Sequence, residues 1–411
     1  MEIDMTTASS TDLDGARPLR VVFASPLLRG ATIAMFLSGL GMAAVAPQIA
    51  MFLVNELHAS LTVAGLYYLT NLTAPIAGYL IGRRSDRTGV RLALFRICAT
   101  AGFVGWMLIA FATEVWVPFV VAAIVLGFAG ASVSQLFAAV YDELQARKTP
   151  GADGVVSLIR MSLTAGWVVG PVFGAFVAAQ FGYRAMLIVA ACASIAQVIP
   201  FGVMREPHRH DPAGASAPST AAPGLRAMLP LLAFTGLYVL VYAGEPIKYA
   251  YLPIYMNQQL HLPAVVSGAV IGIQPLVELI LMPVAVVVAR RVGMMRLMVL
   301  GALFGVLANV CFATMPSAAG MFAGQVLMGG VWGVFAGLGV IVAQRLLPQA
   351  VATASAVFMS SPAISSALGG LIGGLGVSAV GLPLVFFAPA LCALVAALGL
   401  ALMSRSTHGI H

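Results

Sequence analysis

The chain has 411 residues, of which 61% are hydrophobic and only 9% are charged, whereas a soluble domain carries roughly 25% charged residues. Its mean hydropathy of +1.00 indicates more apolar surface than one soluble core could bury, which excludes an ordinary cytosolic enzyme. The formal charge of +7 would suggest nucleic acid as a partner of a soluble protein, but the positions of the basic residues explain it differently here.

Apolar runs recur after a polar N-terminal stretch, and each is close to or above the roughly 20 residues that a helix needs to cross a bilayer. They lack the short-range alternation of barrel strands. The predicted spans are 28–54, 61–82, 92–112, 116–140, 155–180, 184–204, 227–255, 263–289, 297–315, 318–343, 351–378 and 382–403. We therefore predict an all-α, polytopic membrane protein with twelve transmembrane helices.

The basic residues lie almost entirely on one side of this topology. Arginines and lysines follow every even-numbered span, whereas the loops after the odd-numbered spans hold one basic residue, Arg184. By the positive-inside rule both termini are predicted to be cytoplasmic, in a multi-pass protein of the cell inner membrane. The net charge then reflects topology, and no nucleic-acid partner is expected.

The longest polar interruption divides the chain into two halves. Residues 205–226 are rich in Pro, Ala, Ser and Gly and predict a flexible cytoplasmic linker. It separates an N-terminal six-helix bundle at 27–204 from a C-terminal six-helix bundle at 227–403, with cytoplasmic tails at 1–26 and 404–411. Short matches such as Leu57-His58 and Leu260-His261 support a duplicated unit, as in many secondary transporters with a central site between repeats.

The loop after span 2 reads GYLIGRRSDRTGVR over residues 78–91. Gly89 would permit a tight turn, Gly78 and Gly82 would let helices approach closely, and Asp86 could pair with an arginine. This segment resembles the loop signature of the major facilitator superfamily, which implies two pseudo-symmetric bundles of major facilitator architecture. The resemblance also implies a conformational latch at the matching residues Gly78, Asp86, Arg87, Gly89 and Arg91.

Span 5 contains GWVVGPVFG over residues 166–174. The glycines Gly166, Gly170 and Gly174 would flatten one helix face for close packing, and Pro171 weakens the backbone hydrogen bonding there. The segment resembles the span-5 signature of major facilitator antiporters, which accompanies export more than uptake. A packing helix without a role in coupling is the alternative.

A closer resemblance rests on QLFA at residues 135–138, RMSLTAGWVVGP at residues 160–171, and Glu278. These segments are similar to those of the bacterial sugar efflux transporter family, which implies sugar export. In that family an acid often precedes the later proline of span 7, where this chain has Tyr251. The acid of span 7 is here Glu245, about two turns earlier.

Ionisable residues within the spans are few, and a charge at the bilayer centre costs roughly 2.5–3.5 kcal/mol. Glu278 lies about 15 residues into span 8, near the midplane, and we predict it as the proton carrier; a structural, paired or protonated glutamate is the alternative. Glu245 and Lys248 share a helix face, so Glu245 is either a second coupling group or half of an ion pair. Arg160 either snorkels to the interface or joins Glu143 or Asp142 in the cytoplasmic latch.

Amide and aromatic side chains within the spans could bind a sugar, because amides both donate and accept hydrogen bonds. For each of them a helix–helix hydrogen bond or an interfacial anchor is the alternative. The candidates for substrate binding are Asn71, Gln135, Gln274, Gln325, Tyr67, Trp167, Tyr242 and Trp332.

The sequence has no phosphate-binding loop and no nucleophile motif, so we predict neither ATP hydrolysis nor enzyme activity, and neither a cofactor nor a metal. The predicted function is export of a sugar or sugar-like molecule by proton antiport with alternating access, by a monomer. A multidrug exporter, a non-transporting receptor or scaffold, and a channel are the alternatives.

Overall fold

The computed structural model describes residues 18–149, 152–202, 204 and 224–406. The described part of the chain is helical and contains no strand. The predicted N-terminal tail, the linker and the C-terminal tail fall mostly on residues 1–17, 205–223 and 407–411, which lie outside the described residues.

Eleven of the described helices are long and apolar enough to span a membrane. A short helix at residues 18–24 precedes them. These eleven helices and the segmented helix α2, which is not one of them, are in chain order α1 (Pro26–Asn55), α2 (Leu61–Leu66, Tyr67–Thr73 and Ala74–Thr88), α3 (Arg91–Ala110), α4 (Trp116–Ala146), α5 (Ala152–Phe181), α6 (Tyr183–Phe201), α7 (Leu225–Gln258), α8 (Ala264–Val292), α9 (Met294–Thr314), α10 (Ala318–Leu346), α11 (Thr353–Val380) and α12 (Leu384–Arg405).

Helix α2 is the predicted span that differs from the other eleven. Its middle segment, Tyr67–Thr73, is a 3-10 helix with the sequence YYLTNLT, whose hydroxyl and amide groups lower the hydropathy of the run. A 3-10 segment within a longer helix often marks a hinge or a functional position. The predicted span is therefore present as three consecutive helical segments that end at Gly89, whose φ of 66° supports the predicted tight turn.

Close packing inside the N-terminal half depends on the small residues of α5. Gly166, Gly170 and Gly174 all face α1. A Cβ added at Gly170 would lie 2.6 Å from the Cβ of Ala43, and one added at Gly174 would lie 2.7 Å from the Cα of Ala44. These distances are too short for any side chain, so the glycines let the two helices meet backbone to backbone.

The predicted close approach at Gly78 and Gly82 is wrong. A Cβ added at either glycine would meet no atom of the described residues within 4 Å. The two positions lie in Ala74–Thr88, a segment that carries four charged side chains near its end.

We call the end of the bundles where α2, α4, α8 and α10 terminate the basic face, and the other end the opposite face. The two halves meet toward the opposite face. A Cβ added at Gly268 of α8 would lie 2.7 Å from the Cα of Val172 of α5. Side-chain hydrogen bonds also join the halves at this level, from Tyr251 Oη to the Leu61 carbonyl at 3.0 Å and from Gln258 to Asn55 at 3.3 Å. The halves are therefore closed at the opposite face.

Candidate functional site

A buried ion pair lies in α7 of the C-terminal half. The helix is interrupted at Ala243, so Glu245 lies in the first turn of the segment Gly244–Gln258. Lys248 has 0% exposure, and its Nζ lies 2.7 Å from Glu245 Oε2. The structure thus contains the ion pair that was one of the two alternatives for Glu245.

Side chains from two further helices complete a polar network around this pair. Trp332 Nε1 of α10 donates to Glu245 Oε1 at 2.8 Å, and Gln274 Nε2 of α8 donates to the same oxygen at 3.3 Å. Lys248 Nζ donates to Gln274 Oε1. Both carboxylate oxygens and the ammonium group are hydrogen-bonded, which is the condition for burying charges at tolerable cost.

Aromatic rings cover one side of this network. The ring centroids of Tyr242 and Trp332 are 4.4 Å apart in an edge-to-face arrangement, and Tyr238 stacks on Tyr242 at 4.2 Å. Three of the predicted substrate-binding residues, Gln274, Tyr242 and Trp332, therefore belong to one cluster with Glu245.

Glu278 lies one helical turn after Gln274 on α8, on the same helix face. It is partly buried and is close enough to Glu245 and Lys248 for electrostatic interaction with both. Among the described residues its carboxylate has neither a hydrogen-bond nor an ion-pair partner. Glu278 is thus the acid of this cluster whose charge is not already balanced by a contact.

The N-terminal half contains a cavity of about 460 Å³ that is lined by residues from α1 to α6. The predicted residues Tyr67, Asn71 and Trp167 line it. Asn71 also reaches across to the other half, where its Nδ2 donates to Ser366 Oγ at 2.7 Å. Cavities of roughly 300–1,000 Å³ suit small-molecule ligands, and this one lies against the interface between the halves.

Several residues of this cavity were not predicted. Ser38, Ser132 and Gln197 are buried polar residues of its lining, and Trp106 adds an indole. The criterion that selected Gln135, an amide within an apolar span, would also have selected Gln197. The serines carry no comparable signal, because serine in a helix commonly bonds to its own backbone.

Two predicted residues belong to neither cluster. Gln135 is 3% exposed and Gln325 is 0% exposed. Neither lines the N-terminal cavity. Within the described part of the chain, Gln135 Oε1 and both amide atoms of Gln325 have no hydrogen-bond partner.

Tyr249 lies beside the ion-pair network. Lys248 Nζ is 4.3 Å from the centroid of its ring, and its phenol is close enough to Tyr68, a lining residue of the cavity, for the two to interact electrostatically. The two polar regions therefore adjoin across the boundary between the halves.

The predicted latch forms a charged network at the basic face. Arg91 Nη1 lies 2.7 Å from Asp86 Oδ1, and its Nε lies 3.2 Å from Asp142 Oδ2. Glu143 pairs with Arg147 at 2.6 Å. Arg87 is exposed in the last turn of α2.

Arg160 does not complete this network. Its side chain is exposed, and its guanidinium carbon lies 5.9 Å from the ring centroid of Phe137. The expected pairing with Asp142 or Glu143 is wrong because Arg91 and Arg147 occupy those carboxylates.

Comparison with known proteins places this arrangement in a family. The family model described as Major Facilitator Superfamily matches residues 31–361. The chain is 26% identical to a putative sugar efflux transporter of Deinococcus radiodurans over 90% of its own length and 95% of that protein. It is 25% identical to sugar efflux transporter A of Dickeya chrysanthemi over 83% of this chain and 86% of that one.

A solved structure of the nucleoside transporter NupG superimposes with a TM-score of 0.76 at 17% identity, and covers 92% of this chain and 99% of that one. At this identity the likeness concerns the fold. The predicted resemblance to sugar efflux transporters is confirmed by the relatives, and the predicted architecture by the fold. Since the family model matches most of its length, the chain belongs to the Major Facilitator Superfamily.

Proposed function

We propose that this protein is a secondary active transporter that exports a sugar or a sugar-like small molecule across the inner membrane in exchange for protons. The observation that carries the proposal is the N-terminal cavity, read together with relatives named as sugar efflux transporters over most of the chain. The arginine-rich loops favour cytoplasmic termini, and a monomer contains both halves that alternating access requires.

The lining of the cavity suits a sugar. Trp167 and Tyr67 can stack against the C–H face of a pyranose ring. Asn71 and Gln197 offer both donors and acceptors to neighbouring hydroxyl groups. A cavity of about 460 Å³ holds a molecule of that size, and Asn71 extends the polar surface to the other half.

Glu278 is the proposed proton carrier. Lys248 already neutralises Glu245, so the remaining charge of the central cluster is that of Glu278. A sugar that extends from the cavity to the central cluster would donate hydroxyl hydrogen bonds to the Glu278 carboxylate, and protonation would remove that acceptor. Sugar and proton would then compete for one group, which couples export of one to import of the other. Glu245 would act by holding Lys248 and Trp332 in place.

The closed opposite face supports a conformation in which an exporter takes up its substrate from the cytoplasm. If the basic face is cytoplasmic, contacts such as Tyr251 to Leu61 seal the outer side. The cavity would then load from the cytoplasm, and separation of these contacts would be required for release outside.

The proposal is tested with labelled sugars in inside-out vesicles, with and without an acidic lumen. We expect a sugar to accumulate only with the gradient, and the accumulation to fail in Glu278→Gln. Glu114→Gln is the matched control, because Glu114 is exposed in the loop before α4. If the sugar equilibrates regardless of the pH gradient, the protein is a facilitator. If dyes or drugs accumulate and no sugar flux is seen, the protein is a multidrug exporter.

A further inference from the structure

A second cavity, of about 550 Å³, lies at the basic face of the C-terminal half. It is formed by the ends of α8, α10 and α12 and by the beginning of α9. Arg290, Arg291, Arg296 and Arg345 line it together with Ser404. The transport mechanism proposed above uses none of these residues.

The four arginines of this cavity have no anionic partner in the described part of the chain. All four are exposed, and the ion pairs of the described residues involve other basic groups. Guanidinium groups remain charged at every physiological pH. Four such charges around one cavity repel one another unless an anion lies between them.

The N-terminal half pairs one arginine with an acid at the corresponding place. When Gly89 is aligned with Gly293, the position of Asp86 in the first half is occupied by Arg290 in the second. In the first half Arg91 lies 2.7 Å from Asp86. The second half therefore has an arginine in place of this acid, and Met295 at the position of Arg91.

The second acidic position has changed in the same way. When Arg147 is aligned with Arg345, the position of Glu143 corresponds to Ile341. In the first half Glu143 pairs with Arg147 at 2.6 Å. Ile341 instead contributes an apolar side chain to the wall of the arginine cavity. The C-terminal half thus keeps arginines at the positions of Arg87 and Arg147, as Arg291 and Arg345, and replaces both acids.

The remaining lining indicates the chemistry of the missing anion. Helix α9 begins at Met294 in the cavity wall, and the unpaired N–H groups of a helix N-terminus favour negative charge. Val286, Leu338 and Ile341 supply apolar surface beside the arginines. A group that is anionic at one end and apolar at the other matches both parts of this lining.

We propose that this cavity binds the phosphate group of an acidic phospholipid. Arginine forms bidentate hydrogen bonds with phosphate oxygens, and basic cavities between helices at the membrane surface suit such headgroups. The choline group of a zwitterionic lipid would bring a cation beside four arginines. Phosphatidylglycerol, which has no such cation, therefore binds more tightly than phosphatidylcholine.

The test is native mass spectrometry of the full chain released from nanodiscs with equal phosphatidylglycerol and phosphatidylcholine. The wild type is expected to retain phosphatidylglycerol preferentially, and Arg290→Gln/Arg345→Gln to lose that preference by about fivefold for each arginine removed. Arg83→Gln/Arg84→Gln is the matched control, because these arginines are exposed at the same face outside the cavity. If the glutamine variant does not fold, Arg290→Lys/Arg345→Lys keeps the charge but loses the bidentate geometry, and intermediate retention is expected.

Equal phosphatidylglycerol retention by the wild type and both glutamine variants would overturn the proposal. A separate titration of inorganic phosphate in neutral detergent distinguishes the two sources of phosphate. Thermal protection by phosphate alone, without any lipid preference, would overturn the lipid assignment in favour of a free anion. Loss of lipid preference confined to the cavity variant would support the proposal as stated.

Discussion

Lys248 has 0% exposure and forms a 2.7 Å ion pair with Glu245 inside the C-terminal half. Removing one partner of a buried pair leaves an uncompensated charge, which costs roughly 3–5 kcal/mol. We therefore expect Lys248→Met to lower the free energy of unfolding by about that amount. Thermal unfolding in a fixed detergent measures the loss.

The double variant Glu245→Gln/Lys248→Met is the control for this effect. The introduced glutamine is neutral and can still accept the hydrogen bond that Trp332 donates to this position, so part of the lost stability should return. If the single and double variants are equally unstable, the loss comes from packing around position 248 and the ion pair is not its cause.

Glu278 gives a prediction about pH. Because only the deprotonated carboxylate accepts hydrogen bonds at both oxygens, sugar binding to the wild type should strengthen as the pH rises through the range where Glu278 loses its proton. Glu278→Gln should bind sugar more weakly and show no such dependence. Equilibrium binding of labelled sugar from acidic to alkaline pH measures both effects.

Glu114→Gln should keep the wild-type pH profile. A profile that persists in Glu278→Gln would assign the titrating group elsewhere and contradict Glu278 as the proton carrier.

The sequence could predict only part of the site at this scale. The pairing of Glu245 with Lys248 follows from their spacing of three residues on one helix. The contacts of Gln274 and Trp332 with this ion pair depend on how α8 and α10 pack against α7. The spacing of residues along the sequence carries no information on that packing. Nothing in the sequence indicated that Ser38 and Ser132 line a cavity. Serine is common in helices, and only the packing of the helices shows which serines face a cavity.

At the scale of elements, α5 is a helix with two distinct contact faces. Its glycines meet α1 inside the N-terminal half, and Val168 and Val172 meet α8 across the boundary between halves. The sequence motif predicted the first face, because glycines four residues apart share one side of a helix. The second contact face depends on Gly268 and Gly272 of α8 in the C-terminal half, so the motif in α5 alone could not predict this face.

This packing gives a prediction for Gly170. A leucine there would overlap Ala43 and Leu40 of α1, and overpacking of this kind typically costs about 1–3 kcal/mol. We expect Gly170→Leu to lower the temperature of thermal unfolding in detergent. Gly82→Ala is the matched control, since a Cβ there meets no described atom, and it should be neutral or stabilising by up to about 1 kcal/mol. Equal destabilisation by both would contradict the packing role of the α5 glycines.

At the scale of the molecule, the helical membrane fold and eleven of its predicted spans were predictable from hydropathy. The conformational state of the molecule was not predictable from the sequence. Whether the halves meet at one face or the other depends on small differences between two sets of contacts, and the same apolar pattern serves both states. The structure has the halves closed at the opposite face, through pairs such as Asn55 and Gln258.

If transport requires these contacts to separate, a covalent link across them should stop it. Asn55→Cys/Gln258→Cys, in a background with Cys192→Ser because Cys192 is exposed, introduces two thiols at positions whose native side chains are hydrogen-bonded at 3.3 Å. After treatment with a short bifunctional thiol reagent that contains a reducible disulfide, sugar flux into vesicles should fall to background and return with reductant. Asn55→Cys/Tyr183→Cys is the matched control, because the native side chains are hydrogen-bonded at 3.1 Å within one half, so a link between the two thiols there should not block flux. Full transport by a completely linked Asn55–Gln258 pair would show that the halves need not separate at this face, and alternating access by rocking of the two bundles would be contradicted for this protein.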